Sequence, residues 1–141
     1  MTSKHWLRAA ALISLLLGSG HMLGRPWLPV ADDQGRAVVD AMRFYRFDVM
    51  GLSRSYWDFH LGFGWMLAAY LLGHAVLYWQ LSGLSVHSWI AARCIVAVLL
   101  IESLILTALA WTFLFRIPLM MTAAITLCLA FALVGKQPRV S

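Results

Sequence analysis

Four stretches of this chain are each apolar over about 20 residues, the length an α-helix needs to cross the hydrocarbon core of a bilayer. They run from about Trp6 to Gly24, from Tyr56 to Leu81, from Ser88 to Phe115 and from Ile117 to Gly135. Pro118 stands at the start of the fourth, where its missing N–H costs nothing, and Lys136 and Arg139 follow that span. Together the four take up most of the 141 residues. The pattern therefore predicts one all-α domain over 1–141, an integral membrane four-helix antiparallel bundle with short loops after the second and third spans. Composition agrees. Charged residues make up 12% and hydrophobic residues 62%, against about 25% and roughly 45–50% in a soluble domain. That little charge cannot coat a soluble fold, which excludes a soluble single domain, a disordered chain and a nucleic-acid-binding module. The +5 net charge reads as anchoring at the flanks of apolar segments.

The first stretch also carries parts of a secretory signal. Lys4 and Arg8 precede an apolar run from Ala9 to Leu17, and Gly18, Ser19 and Gly20 follow. Its apolar character continues through Met22 and Leu23, so it is read as a retained span. Orientation is nearly balanced when Lys and Arg are counted. One side would hold Lys4, Arg8, Arg93, Lys136 and Arg139, the other Arg25, Arg36, Arg43, Arg46, Arg54 and Arg116. The short basic N-terminus tips the expectation towards cytoplasmic termini.

The long segment outside the spans is 25–55. Arg25-Pro26-Trp27-Leu28-Pro29 is held extended by its prolines, and Asp32 or Asp33 then caps a short amphipathic helix over about Arg36 to Met50. Val38, Val39, Met42, Tyr45 and Val49 fall at helical spacing, with Arg36, Asp40, Arg43 and Arg46 on the polar side. Such a helix lies in the membrane interface or folds over the bundle as a lid. Gly51 ends it, and Ser53-Arg54-Ser55 turns the chain into the second span.

Polar residues inside or beside the spans are the candidates for function. Glu102 falls near the middle of the third span among Ile and Leu, where an ionised group costs about 2.5–3.5 kcal/mol even by insertion scales. It must be protonated, paired or turned to a hydrated cavity. The bland alternative is a neutral Glu bridging two helices. Tyr70 shares its expected depth, with His74 about one turn deeper. His21 near the end of the first span and His60 near the start of the second should lie at similar depth, with Asp58 and Arg54 close by. These make a polar pocket under the loop helix, roofed by Tyr56 and Trp57. Each member has a structural reading too. Ser55-x-x-Asp58 is a capping box, Tyr56 and Trp57 suit an aromatic belt, and either histidine can bond a backbone carbonyl. Gly20 and Gly24 around His21, and Gly62, Ala69 and Gly73 in the second span, allow close helix approach.

His60 and His74 are fourteen residues apart, about 21 Å along one helix face. With His21 opposite His60, and His5 or His87 near His74, bis-histidine b-type haem is geometrically possible, the single-haem version on His21 and His60 being the better one. Otherwise no cofactor and no metal site is expected. Cys94 and Cys128 lie in different spans without zinc spacing and read as small apolar fillers. No nucleophile elbow, phosphate loop or dinucleotide fingerprint occurs.

The run from Phe47 through Arg54-Ser55-Tyr56-Trp57-Asp58-Phe59-His60-Leu61-Gly62-Phe63-Gly64, together with Gly20-His21-x-x-Gly24, resembles a family of small bacterial four-helix membrane proteins labelled only after a leptospiral locus. The likeness covers nearly the whole chain. It implies a bacterial inner-membrane protein whose diagnostic residues are those of the candidate pocket, and it carries over no catalytic residues. A looser architectural analogy links the chain to DoxX-like and to sterol-isomerase and sigma-2-receptor-type membrane proteins.

The leading expectation is a membrane protein binding a hydrophobic small molecule (lipid, quinone or polycyclic isoprenoid) in a cavity beneath the 25–55 loop. Any catalysis would be proton transfer, such as an isomerisation. Glu102 would be the buried acid or base, Asp58 with His60 a second titrating pair, and His21, Arg54, Tyr56, Trp57, Tyr70 and His74 the ligand contacts. The alternatives are electron transfer through haem and a non-catalytic accessory subunit of a larger complex or homo-oligomer.

Overall fold

A computed structural model of the chain describes residues 2–24, 28 and 32–135. Its elements in order are α1 (Ser3–Leu23), α2 (Asp33–Phe44), β1 (Arg46–Val49), β2 (Leu52–Ser55), α3 (Tyr56–His87), α4 (Trp89–Phe113) and α5 (Arg116–Val134). The class is all-α, with one short hairpin as the exception. Helices α1, α3, α4 and α5 are each long and apolar enough to cross a membrane, as the hydrophobic stretches predict. Of the remaining expectations, the extended Arg25–Pro29 piece, apart from Leu28, and the flanking Lys136 and Arg139 lie outside the described residues.

Contacts divide the chain into two units, Met1–Leu17 with Leu71–Ser141, and Gly18–Tyr70. The first unit has a buried core drawn from all four long helices: Leu7, Ala10 and Ala11 of α1, Tyr78 and Leu81 of α3, Ala92, Val96 and Leu99 of α4, and Ile125, Cys128, Leu129 and Ala132 of α5. Many of these are small, while Leu16, Val76, Val98, Ile101 and Leu127 stand exposed. This is the reverse of a soluble fold. Close helix approach through small residues, with large apolar side chains outward, suits helices whose surroundings are themselves apolar.

Hydroxyls fill the core's remaining polar positions, and each finds a partner. Ser3 Oγ donates to Ala132 O (2.8 Å) and Ser14 Oγ to Leu71 O (2.8 Å), tying α1 to α5 and to α3. Ser103 Oγ and Thr126 Oγ1 bond across α4 and α5 at 2.7 Å, and Thr107 Oγ1 joins Thr126 at 3.0 Å. Arg8 lies over the Trp79 ring at 4.9 Å. The contacts of α1 with α3 therefore run in opposite chain order, Arg8 with Trp79 and Ser14 with Leu71.

Helix α3 continues past Leu81 to His87, where the sequence reading places a loop. Ser82 Oγ and Ser85 Oγ donate to Trp79 O and Ser82 O, at 2.6 and 2.9 Å, so this serine-rich piece satisfies itself as helix. Only Ser88 separates α3 from α4, and only Leu114 and Phe115 separate α4 from α5. Pro118 falls in the first turn of α5, where its N–H would have had no helical acceptor.

The second unit corrects the loop reading. The predicted helix from Arg36 to Met50 is in fact α2, capped by Asp32, whose Oδ1 accepts from Gly35 N at 2.6 Å, and it stops at Phe44. The rest of that stretch is a hairpin pairing Arg46 with Ser55, Phe47 with Arg54, Asp48 with Ser53 and Val49 with Leu52. Met50 (φ 52°) and Gly51 (φ 82°) supply the two left-handed residues of a tight turn whose twist matches the strands. Arg46 braces the pair by donating from Nε to Ser53 Oγ (3.2 Å) and from Nη2 to Ser53 O (3.0 Å).

Candidate functional site

The structure separates the predicted site residues into two groups, one in each unit. In the first unit His74 of α3 meets Glu102 of α4, Nε2 to Oε2 at 3.2 Å. Glu102 lies about 20 Å along α4 from its start, in the middle of the most apolar of the four helices. The His74 side chain is 16% exposed and the Glu102 side chain 39%, so the pair sits at the rim of the helical core with the carboxyl accessible from outside it. His74 also meets the buried Tyr78 edge-on, with ring centroids 5.6 Å apart, and Tyr78 is within electrostatic reach of Glu102. Glu102 is thus paired with His74 across two helices. Such a pair can give a proton to, or take one from, a group that reaches its exposed edge. The sequence reading sets Tyr70 at the depth of Glu102 and His74 a turn further on. The structure makes His74 a hydrogen-bonded partner of Glu102, and the half-buried Tyr70 belongs to the second unit.

In the second unit the remaining candidates gather at the start of α3. Ser55 N donates to Asp58 Oδ2 (2.8 Å) while Asp58 N donates to Ser55 Oγ (3.2 Å), the reciprocal bonds of a capping box. Arg46 and Arg54 both bear electrostatically on the Asp58 carboxylate, and Arg54 Nη1 donates to Ser53 O at 3.1 Å. Asp58 and His60 are about 200° apart around the helix. They do not face one another. Asp58 turns to Ser55, whereas His60 stacks on Trp57 with centroids 5.1 Å apart. Trp57 is buried and lies beneath the Arg43 guanidinium, 4.8 Å from its ring. Tyr56 is exposed and stacks on Tyr45 at 5.8 Å. Further rings extend this patch, Phe47 on Tyr56 (5.0 Å), Phe59 on Phe47 (5.8 Å) and Phe63 beside Phe59 (6.1 Å).

Beside these rings lies a shallow, open depression of about 230 Å³, lined by Arg54, Asp58, Phe59, Gly62, Phe63 and Met66. It runs along one face of α3, so Arg54 and Asp58 line the depression, while Tyr56 and Trp57 are not among its walls. His21 takes the bland role foreseen for it. Its Nε2 lies 3.1 Å from Gly64 O, and since a carbonyl only accepts, that nitrogen carries the proton. Among the described residues no group of three or more His, Cys, Asp or Glu is arranged to hold a metal ion.

The hydroxyl cluster of Ser103, Thr107 and Thr126 is absent from the sequence reading. Its signal was there in Ser103-x-x-x-Thr107 and Thr122-x-x-x-Thr126, polar pairs one turn apart in otherwise apolar helices. A scan of family models, a search of curated proteins and a search of solved structures each return no match.

Proposed function

We propose that this chain is an integral membrane protein, an antiparallel four-helix bundle of the bacterial inner membrane with cytoplasmic termini, that binds a hydrophobic small molecule carrying a carbonyl or hydroxyl group. A quinone, a polycyclic isoprenoid or a lipid has that character. The observation that carries the reading is the His74–Glu102 hydrogen bond in the middle of two apolar helices, with the carboxyl still partly exposed. A bilayer-spanning helix keeps an ionisable residue at mid-depth at a cost in stability, and such residues mark ligand or proton sites by default. A ligand carbonyl accepts a hydrogen bond from the protonated member of the pair, and a ligand hydroxyl donates to the other.

The chemistry available there is proton transfer. In an isomerisation Glu102 as carboxylate would take a proton from carbon beside a ligand carbonyl. The same carboxyl would return it to another carbon of the conjugated system, with the imidazolium of His74 balancing the charge. We also place the chain with the small four-helix membrane proteins that its Phe47–Gly64 segment resembles. That segment is the hairpin and the first turns of α3.

Extraction of the compounds that co-purify in mild detergent, followed by mass spectrometry, tests the reading. Wild type should retain a hydrophobic carbonyl or hydroxyl compound that Glu102→Gln holds less well, with the helical circular-dichroism signal unchanged. The same complement of compounds in both proteins would remove the pair from the site.

A further inference from the structure

The depression beside α3 has two different ends. At one, Arg54 stands near the end of β2 and Asp58 sits in the first turn of α3, a cation and an anion on the same rim. Away from them Phe59, Gly62, Phe63 and Met66 follow i, i+3, i+4, i+7 spacing, one helical face about 12 Å long measured from Asp58. The volume, about 230 Å³, is below the roughly 300–1,000 Å³ of pockets that enclose a whole small molecule. A site of this shape takes the head and upper chain of an amphiphile whose remainder lies outside it. From these observations we infer that the depression binds a phospholipid with a zwitterionic headgroup bearing a primary amine, of the phosphatidylethanolamine type, its phosphate at Arg54, its ammonium at Asp58 and an acyl chain along Phe59, Phe63 and Met66.

Charge complementarity selects this occupant over other lipids. The described charges of the unit are Arg36, Arg43, Arg46 and Arg54 against Asp32, Asp33, Asp40, Asp48 and Asp58. Two arginines are already matched, Arg36 with Asp33 and Arg43 with Asp40. Among the described residues no basic field is left to gather anionic lipid. Asp58 gives Oδ2 to Ser55 N, and a carboxylate has further lone pairs that accept from an ammonium. A quaternary choline head has no N–H to donate, so the carboxylate also separates the two zwitterions. Gly62 keeps the chain's path open: a Cβ there would meet nothing within 4 Å, so a larger side chain occupies the depression without disturbing the helix.

The site rests on the membrane reading proposed above, and the test keeps the two apart. The protein is reconstituted in nanodiscs of equimolar dioleoyl phosphatidylethanolamine, phosphatidylcholine and phosphatidylglycerol, then released for native mass spectrometry. We expect phosphatidylethanolamine to be retained about tenfold or more over the other two, the scale of a charge-assisted hydrogen bond. Asp58→Asn, which still accepts from Ser55 N, should abolish the preference over phosphatidylcholine. Arg54→Gln, which removes the phosphate's cation, and Gly62→Leu, which fills the chain's path, should each lower retention of all three lipids. Equal retention of the three lipids, preference for phosphatidylglycerol, or variants indistinguishable from wild type would overturn the site while leaving the membrane reading standing. A chain that fails to enter nanodiscs at all would overturn both.

Discussion

The two units solve the problem of polar groups in opposite ways. In the first, polar side chains are buried among small residues and bond to backbone carbonyls or to each other across helices, as Ser14 does with Leu71 O and Ser103 with Thr126. In the second, apart from His21 on Gly64 O, they end or begin elements. Asp32 caps α2, Ser55 and Asp58 cap α3, and Arg46 braces the hairpin, whose Phe47 belongs to an exposed aromatic patch. On the membrane reading this contrast is one of local surroundings. Hydrocarbon forces every polar group to find a protein partner, whereas the headgroup layer lets charge and aromatic rings face outward. It also changes what a polar residue signifies. Serines in the first unit are explained once their hydrogen bonds are found. The carboxyl of Glu102, paired yet partly exposed, is not explained by satisfaction alone.

The sharpest way to break this comparison is to take the partner from Glu102. His74→Leu leaves a mid-span carboxyl without its imidazole and should destabilise the protein by about 2–3 kcal/mol, the scale of an acid at a helix centre. Unfolding in mixed micelles measures it, and His74→Leu with Glu102→Leu should recover most of the loss. A neutral His74→Leu would mean that the carboxyl is satisfied by its surroundings, and the contrast would fail at its most exposed point.

How far the sequence foretells all this follows the same division. The spans were legible because an apolar run of about 20 residues is a local property, and Glu102 stood out against it for the same reason. The Ser55-x-x-Asp58 cap was legible because its partners are three residues apart. The His74–Glu102 pair was not, since its members are 28 residues apart on different helices and only packing brings them together. The hairpin was missed for a different reason. Tyr45 and Val49 fit a helical stripe continued from α2, while Arg46-Phe47-Asp48-Val49 equally fits a strand alternation of four residues, too short for either period to win. Gly51, read as a helix stop, is the residue that decides for the strand, because its φ of 82° belongs to the turn.

That turn gives the intermediate test. Gly51→Val places a β-branched residue in the left-handed region, at a cost of about 1–2 kcal/mol, and nothing crowds the position otherwise. Amide hydrogen exchange across Arg46–Ser55 should quicken by roughly tenfold. Exchange in the first unit should stay unchanged, which sets the hairpin apart as a local element. Met50→Gly should do the reverse, since Met50 already bears the left-handed strain at φ 52°. Unaltered exchange in both variants would mean that the strands, and not the turn, hold the register.

The smallest effect belongs to the hydroxyls between α4 and α5, and it discriminates most finely. Thr126 Oγ1 meets Ser103 Oγ and Thr107 Oγ1 and is within 3.0 Å of Thr122 O. Ser103→Ala therefore removes one contact from a group that keeps others, and should cost about 0.6 kcal/mol, the average for hydrogen bonds between helices in membranes. Thr126→Val removes the shared centre and should approach the upper value of about 1.7 kcal/mol. Both are measured by the same micelle unfolding as His74→Leu. A graded series, smallest for Ser103 and largest for His74, is what the contrast requires: hydroxyls share their partners within a cluster, whereas the carboxyl is paired with the His74 imidazole. If Ser103→Ala cost as much as His74→Leu, the acid would be one more structural hydrogen bond, and Glu102 would lose its claim to be a ligand site.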